Sequence, residues 1–368
     1  MNAEIPSLGT PRAVAQYYGF PLDKYDGTGQ KIAILDLNGT FNRTMLLQNL
    51  NRLGVQFDDA NLLHKTAGAP PVSSGFGETQ EDVEVVASVC PGATITVYTG
   101  DYVDIVTSAT KDGNLVITSS WTWGNDYDAK ESAPDFFKDL NLAIKEAAKK
   151  GVILCCAAGD GSSSNCRNSS SAAVPAPDWR AHVNYPSSHP KVLAVGGTMK
   201  ILNDLKQAEE VVWNNSNIQQ GATGGGVSPV FQVPSYQQSP EFEIQSANPD
   251  GRIGRVIPDV AAFAAYDDYV LEEYGRRQLN GGTSAATPLW ASLLVLVNQA
   301  RHEAGKGPIK DLHKVLYSLS SGFHDIVRGN NRPQPNYPGY DAKPGFDACT
   351  GLGSPIAPLL VPALVVAD

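Results

Sequence analysis

Histidine is scarce in this chain, with six in 368 residues. None lies in a segment built to activate a serine. Charge is also sparse: charged residues make up 18%, below the usual quarter, and the net charge is −10 with no basic cluster. That balance excludes nucleic acid as a natural partner. It fits either a surface that stays soluble without ionised carboxylates or simply a polar, uncharged one. No run of 18 apolar residues occurs, so no membrane-spanning helix is expected. No basic stretch followed by an apolar one opens the chain, so no signal peptide is read in it. Cysteines are few and odd in number, five, which excludes a disulfide-dense scaffold. Cys155 and Cys156 are adjacent in an apolar run and read as buried packing residues. Cys90, Cys166 and Cys349 leave room for one disulfide, and their spacing fits no zinc pattern.

The hydrophobic fraction, 42%, is enough for a sizeable core. Short β-like runs alternate with helical segments. Strands are expected at 31–37, 94–98, 115–119, 152–158 and 192–195. Helices are expected at 43–53, 78–89, 102–110 and 134–149. This alternation predicts an α/β fold with a mainly parallel central sheet and helices on both faces. From about 200 to 280 the pattern turns irregular and rich in Gly, Pro, Gln and Ser, and the tail at 321–353 is loop-like. Long loops of this kind tend to carry function on a rigid scaffold. With no repeat or linker to divide it, the chain reads as one domain over 1–368.

Four segments carry chemistry. In Gly281-Gly282-Thr283-Ser284, two glycines permit a sharp turn and a close approach. Ser284 then falls at a helix start, where free N–H groups and the dipole favour negative charge. It could equally be a plain N-cap. In Gly77-Glu78-Thr79-Gln80-Glu81-Asp82, a helix would put Glu78 and Asp82 on one face, roughly 6 Å apart along the axis. If the two are buried together, one carboxyl should hold its proton unusually well; a solvated acidic helix start is the simpler alternative. Asp160 follows an apolar strand, the place where ligands bind in open α/β sheets, or it makes an ordinary Asp-Gly turn. Finally, Asp325-Ile326 and Lys343-Pro344-Gly345-Phe346-Asp347 offer carboxylates and carbonyls that suit Ca²⁺. The spacing is not that of an EF-hand, and Asx turns explain the aspartates more simply.

Taken together, these segments resemble the sedolisin family, the serine-carboxyl peptidases, and among them the kumamolisin-like members. Ala222-Thr223-Gly224-Gly225-Gly226-Val227-Ser228 and Phe323-His324-Asp325-Ile326 are similar to family signatures, and the resemblance runs over nearly the whole chain. It implies a subtilisin-like three-layer fold and a catalytic triad of Ser284, Glu78 and Asp82. In this reading Ser284 is the nucleophile, Glu78 the base and Asp82 its orienter. Asp160 is the oxyanion-hole residue. Trp121 extends the hydrogen-bond network behind the triad. Asp36 stands where these enzymes have a glutamate, so its shorter side chain is expected to need a water to reach Asp82. Ser119, Ser120, Gly224 and Gly225 are expected along the substrate cleft. One structural Ca²⁺ would take the carboxylates of Asp325 and Asp347 and the carbonyls of Ile326, Lys343 and Gly345, with Lys343 standing where the family has glycine. The resemblance also implies a mature, secreted and monomeric enzyme without its propeptide, acting on peptides or unfolded proteins.

The chemistry is coherent on its own terms. A glutamate serves as base when its pKa lies near the working pH, and an unperturbed one titrates near about 4.3. Asp160 donates to an oxyanion only while protonated. Reference pKa values therefore predict an acidic optimum, roughly pH 3–5. Three rival readings fit the residues less well. An Asp-His-Ser peptidase could use Asp36, yet the helix begun by Gly77-Glu78 has no His-Gly opening. His64 reads as a surface-loop residue, and His182, His189, His302, His313 and His324 fit no triad. A catalytically silent peptide-binding homologue, or a structural calcium protein, would not account for the carboxylate pair, the strand-end aspartate and the helix-start serine occurring together.

Overall fold

The computed structural model describes residues 9–37, 41–68, 76–165, 173–202, 205–266, 269–273 and 276–368. Eight strands form its central sheet: β1 Lys31–Asp36, β2 Leu62–Ala67, β3 Thr94–Gly100, β4 Val116–Ser119, β5 Ile153–Ala157, β6 Val192–Leu202, β7 Ala208–Val212 and β8 Val260–Phe263. Seven run parallel in the order β8-β6-β5-β4-β1-β3-β2, and β7 pairs antiparallel with β6. The strands end together at one edge of the layer, so Asp36, Ser119 and Ala157, at the ends of β1, β4 and β5, lie near one another.

Side chains alternate across the sheet as its period of two requires. Ile32 and Ile34 enter one core, with α1 Pro11–Tyr17, α2 Arg43–Arg52, α3 Phe76–Val89 and, much later in the chain, a long apolar helix over Thr283–Glu303. Ala33 and Leu35 enter the other, with α4 Tyr102–Lys111 and a helix over Pro134–Lys149. The latter buries Leu140, Ile144 and Ala147, the stripe expected at spacings of four and three. Cys155 and Cys156 divide between the two cores. This is the three-layer arrangement the sequence implies.

Three expectations are corrected. His64 lies in edge strand β2, not in a loop, with Nε2 2.9 Å from Thr99 Oγ1. Cys90 and Cys349 are buried free thiols, so these two do not pair with each other; Cys166 lies outside the described residues. The region 200–280 is less irregular than its composition suggests. It holds β7, β8 and a hairpin of Tyr269–Glu273 with Arg276–Asn280.

One buried ion pair anchors β8. Arg255 and Asp259 are both fully enclosed, and Arg255 Nη2 donates to Asp259 Oδ2 at 2.6 Å. Tyr317 and the Ala194 N–H also donate to that carboxylate. Burial alone would raise the Asp259 pKa, but Arg255 and His313 outweigh it and hold it well below the usual range. The pair therefore stays ionised in acid. Asp259→Ala leaves a buried guanidinium uncompensated, with an expected cost of about 3–5 kcal/mol. Thermal unfolding followed by circular dichroism should show a midpoint lowered by several degrees; an unchanged midpoint would refute the role.

Candidate active site

Gly282 caps the helix over Thr283–Glu303 with φ 92°, a left-handed conformation that favours glycine. A Cβ there would stand 2.5 Å from Asp160 Oδ2, and one on Gly281 2.6 Å from the Ala264 carbonyl oxygen. Both glycines are therefore needed for close approach. Because Gly282 is the cap, Ser284 is the second residue of the helix and not its N-cap, and its hydroxyl is left for other work. Pro288 has no N–H, so the carbonyl of Ser284, four residues earlier, loses its helical partner. Ser120 stands in for it: its Oγ lies 3.2 Å from the Ser284 carbonyl oxygen and 2.7 Å from Asp82 Oδ1, with its one proton shared between the two. Ser120, expected in the cleft, thus bridges the serine's backbone to the second acid.

Glu78 lies in the first turn of α3. The Ser284 and Ser120 hydroxyls lie near enough to its carboxyl to lower its pKa, while its Oε1 has no hydrogen-bond partner among the described residues. Burial raises its pKa to about 7; the Ser284 hydrogen bond opposes that rise, Asp160 and Asp36 add to it, and Ser120 opposes it. Asp82 is fully buried and likewise held well above the carboxylate range, by burial first and then by Glu78, with Asp36 adding to both. Asp36 is buried at the end of β1 and acts on Glu78 and Asp82 as a like charge. Glu81, one turn beyond Glu78, is also buried and raised. Each acid makes the next harder to ionise, so the cluster keeps protons into a range where isolated carboxyls have lost them. Glu78 and Asp160 therefore both ionise at a higher pH than their reference values suggest.

Asp160 follows β5. Its Oδ1 accepts from the Thr283 N–H at 2.8 Å and the Thr283 hydroxyl at 2.7 Å. Thr283 Oγ1 accepts in turn from the Gly159 N–H at 3.1 Å. One carboxyl oxygen is thus clamped, and the other faces Gly282 just before the serine. Burial raises the Asp160 pKa while the Thr283 bonds lower it. A proton kept on Oδ2 could be donated towards Ser284.

The remaining expected residues divide. Ser119 is fully buried and 2.5 Å from the Tyr102 hydroxyl, in the core beneath the site, so its side chain lines no cleft. Gly224 and Gly225 are buried too. A Cβ on Gly224 would stand 2.1 Å from the Ala158 carbonyl oxygen, and one on Gly225 2.2 Å from that of Ala348. Gly224 packs the loop against the end of β5, and Gly225 packs it against the segment holding Ala348. Trp121 is partly buried, and its indole Nε1 has no hydrogen-bond partner among the described residues. No direct bond therefore carries the acid network to it.

In the calcium segment, Asp325 Oδ2 accepts from the Gly345 N–H at 2.8 Å and Asp347 Oδ2 from the Lys343 N–H at 3.3 Å. The two carboxylates hold the 343–347 turn from both sides. Lys343 is not among the residues of positive φ, so a side chain there strains nothing. Among the described residues no three His, Cys, Asp or Glu side chains gather as a metal set. Two carboxylates supplemented by carbonyls would not need a third. Oxygen-only donors of this kind fit a hard cation.

The histidines are all engaged elsewhere. His182 contacts Asp178, His189 accepts from the Lys191 N–H, His313 contacts the Val192 carbonyl, and His324 contacts Glu210. His302 sits at the far end of the helix that Ser284 begins. The titratable groups gathered around Ser284 are carboxyls, Glu78 first among them. A profile described as the subtilase family matches residues 65–314. The chain belongs to the subtilase family. It is a sedolisin-type member, similar to kumamolisin. It is 37% identical to Kumamolisin of Bacillus sp. (strain MN-32) over 98% of this chain and 64% of that protein. It is 36% identical to Sedolisin of Pseudomonas sp. (strain 101) over 47% of this chain and 28% of that protein. The chain thus spans less than two thirds of these curated relatives. A solved structure of Pseudomonas sedolisin, described as a serine-carboxyl proteinase complexed with two molecules of pseudo-iodotyrostatin, superposes with a TM-score of 0.79 at 24% identity, covering 98% of each chain. That match fixes the three-layer fold.

Proposed function

We propose that the protein is a serine-carboxyl endopeptidase that cleaves peptide bonds in acid through an acyl-enzyme. The observation that supports this most is the hydroxyl of Ser284 held against Glu78, with Asp82 behind it and Asp160 clamped beside Gly282. Ser284 Oγ attacks the scissile carbonyl carbon as Glu78 takes its proton. The carbonyl oxygen, now negative, is met by the Asp160 hydroxyl and the Ser284 N–H. Glu78 then protonates the leaving amine as the C–N bond breaks. Water, deprotonated by Glu78, hydrolyses the ester and returns the proton to Ser284. The direct test is digestion of a denatured protein across acid and neutral pH. Cleavage confined to the acid side supports the reading, and no cleavage at any pH refutes it.

The natural setting belongs to the same proposal: secretion, maturation from a propeptide, action as a monomer on peptides or unfolded proteins, and one bound Ca²⁺. The Asp325 and Asp347 carboxylates with the carbonyls of Ile326, Lys343 and Gly345 would hold the cation and tie two loops together. Burial, partly offset by backbone N–H bonds, pushes the Asp347 pKa up to about 6, and a bound cation would offset that penalty. A chelator should lower the unfolding midpoint at pH 7 and added Ca²⁺ should restore it, by about 2.7 kcal/mol at a hundredfold excess over Kd. A midpoint insensitive to both would exclude the site.

A further inference from the structure

One phenol in the second core reaches the edge of the sheet where Ser120 and Asp82 meet. Tyr102 is the first residue of α4, and Asp101 before it caps the helix, its Oδ1 accepting from the Asp104 N–H at 3.0 Å. Two residues earlier β3 ends at Gly100, where a Cβ would stand 1.6 Å from the Ala67 carbonyl oxygen. The close approach of β3 to β2 and the cap together fix where α4 starts. Ile105, Val106 and Ala109 bury the rest of its inner face. Tyr102 is 2% exposed, and its hydroxyl lies beneath the segment that leaves β4.

There it closes a ring of hydrogen bonds. The Tyr102 hydroxyl donates to the Trp121 carbonyl at 2.8 Å, Ser119 Oγ lies 2.5 Å from the Tyr102 oxygen, and the Trp121 N–H donates to Ser119 Oγ at 3.2 Å. Each hydroxyl has one proton, and a carbonyl only accepts. The Tyr102 proton therefore goes to Trp121 and the Ser119 proton to Tyr102. Both backbone polar groups of Trp121 are satisfied by this one circuit. The alternative, Ser119 donating to the Trp121 carbonyl, is the longer contact at 3.3 Å. Burial pushes the Tyr102 phenol well above its usual value, so the circuit keeps its proton throughout the working range.

Ser120 is the residue between. Successive side chains of an extended chain point to opposite faces. Ser119 turns towards Tyr102, and Ser120 turns the other way, with its Oγ 2.7 Å from Asp82 Oδ1 and 3.2 Å from the Ser284 carbonyl oxygen. The ring grips the residues on both sides of it. We propose that Tyr102 is a positioning residue: its hydroxyl, through Ser119 and Trp121, sets Ser120 in place between Asp82 and the start of the Ser284 helix. The inference rests on the peptidase reading above.

Tyr102→Phe removes one oxygen and keeps the packed aromatic ring. It should lower kcat by about 10- to 100-fold with KM little changed, the size of loss that a small misplacement of reacting groups produces. Burial raises the pKa of Glu78 and of Asp82, and the Ser120 hydroxyl counters both rises. Loosening Ser120 should therefore lift the pKa of the base and move the acid limb of kcat/KM to higher pH, a shift that poorer packing alone would not give.

The test is a double-mutant cycle of Tyr102→Phe with Ser120→Ala on a chromogenic peptide, with thermal unfolding of each variant. If Tyr102 acts through Ser120, the double variant should be no slower than Ser120→Ala alone. Ser119→Ala opens the ring at a second member and should reproduce the Tyr102→Phe loss, so the role stays testable should one variant fold poorly. Losses that multiply in the double variant, or wild-type kcat in either Tyr102→Phe or Ser120→Ala, would overturn the role. A wild type that cleaves no peptide removes the peptidase reading as well, whereas cleavage with multiplying losses removes the positioning role alone.

Discussion

Replacing Ser284 by alanine is expected to lower kcat by about 10⁶-fold while leaving the unfolding midpoint near its wild-type value, the size of loss found when a serine-protease nucleophile is removed. Both parts follow from where the residue sits. Its hydroxyl lies near the Glu78 carboxyl, so alanine deletes the group that is to carry the acyl chain. The helix cap is Gly282, and the bond from Ser120 goes to the backbone carbonyl of Ser284, so alanine keeps the structural contacts. Single-turnover kinetics on a chromogenic peptide, together with thermal unfolding, would check the two halves. Residual activity within about tenfold of wild type would mean that another group attacks the substrate.

Glu78→Gln should cost about 10³- to 10⁴-fold in kcat/KM, the upper part of the range for a positioned general base. Glutamine keeps the shape and can still hydrogen-bond to Ser284 and Ser120, but it cannot take a proton at any working pH. The loss should therefore fall on kcat, with KM little changed, since Glu78 assists the transition state rather than ground-state binding. Removing Glu78 also removes the strongest like charge on Asp82, so Asp82 should titrate lower in the variant. Steady-state kinetics across the acid range decide the matter. A variant that retains activity within tenfold would exclude Glu78 as the base and leave the absence of a histidine unexplained.

Much of this site is legible in the sequence because its residues come in short, ordered segments. Glu78 and Asp82 are four apart in one helix, and Ser284 comes two residues after the glycines that its turn requires. The helix over Pro134–Lys149 is equally plain, with proline at its first position and apolar residues at regular spacing. What stays hidden depends on distances made by folding. β2 is buried only at its two ends, so no alternation marks it, and β8 is only four residues long. The packing of Gly224 against Ala158 and of Gly225 against Ala348 is likewise made only by folding. Ser120 as a bridge and Thr283 as a clamp could not be read from spacing, although Pro288, four residues after Ser284, signals a carbonyl in need of a partner. The pKa shifts of the cluster stay hidden for the same reason. Reference pKa values describe separate carboxyls, and here they repel one another.

The measurement that bears most directly on the account is the pH–rate profile of kcat/KM for wild type and Asp160→Asn. In the wild type, the oxyanion donor and the shared protons exist only below the raised pKa values of the cluster. Activity should thus fall with rising pH as the raised Asp160 carboxyl loses its proton, and fall in stronger acid as the base Glu78 takes one up. Asparagine keeps an oxygen for Thr283 and donates an N–H at every pH. It also removes a charge that raises Glu78. The variant should lose part of the wild-type rate, about 10- to 100-fold against the 10²–10³ of losing one oxyanion donor outright. Its neutral limb should flatten and its acid limb shift downward. A wild-type optimum near pH 8, or an Asp160→Asn profile that falls at neutral pH as the wild type does, would contradict the claim that a protonated Asp160 and a carboxylate base carry the reaction.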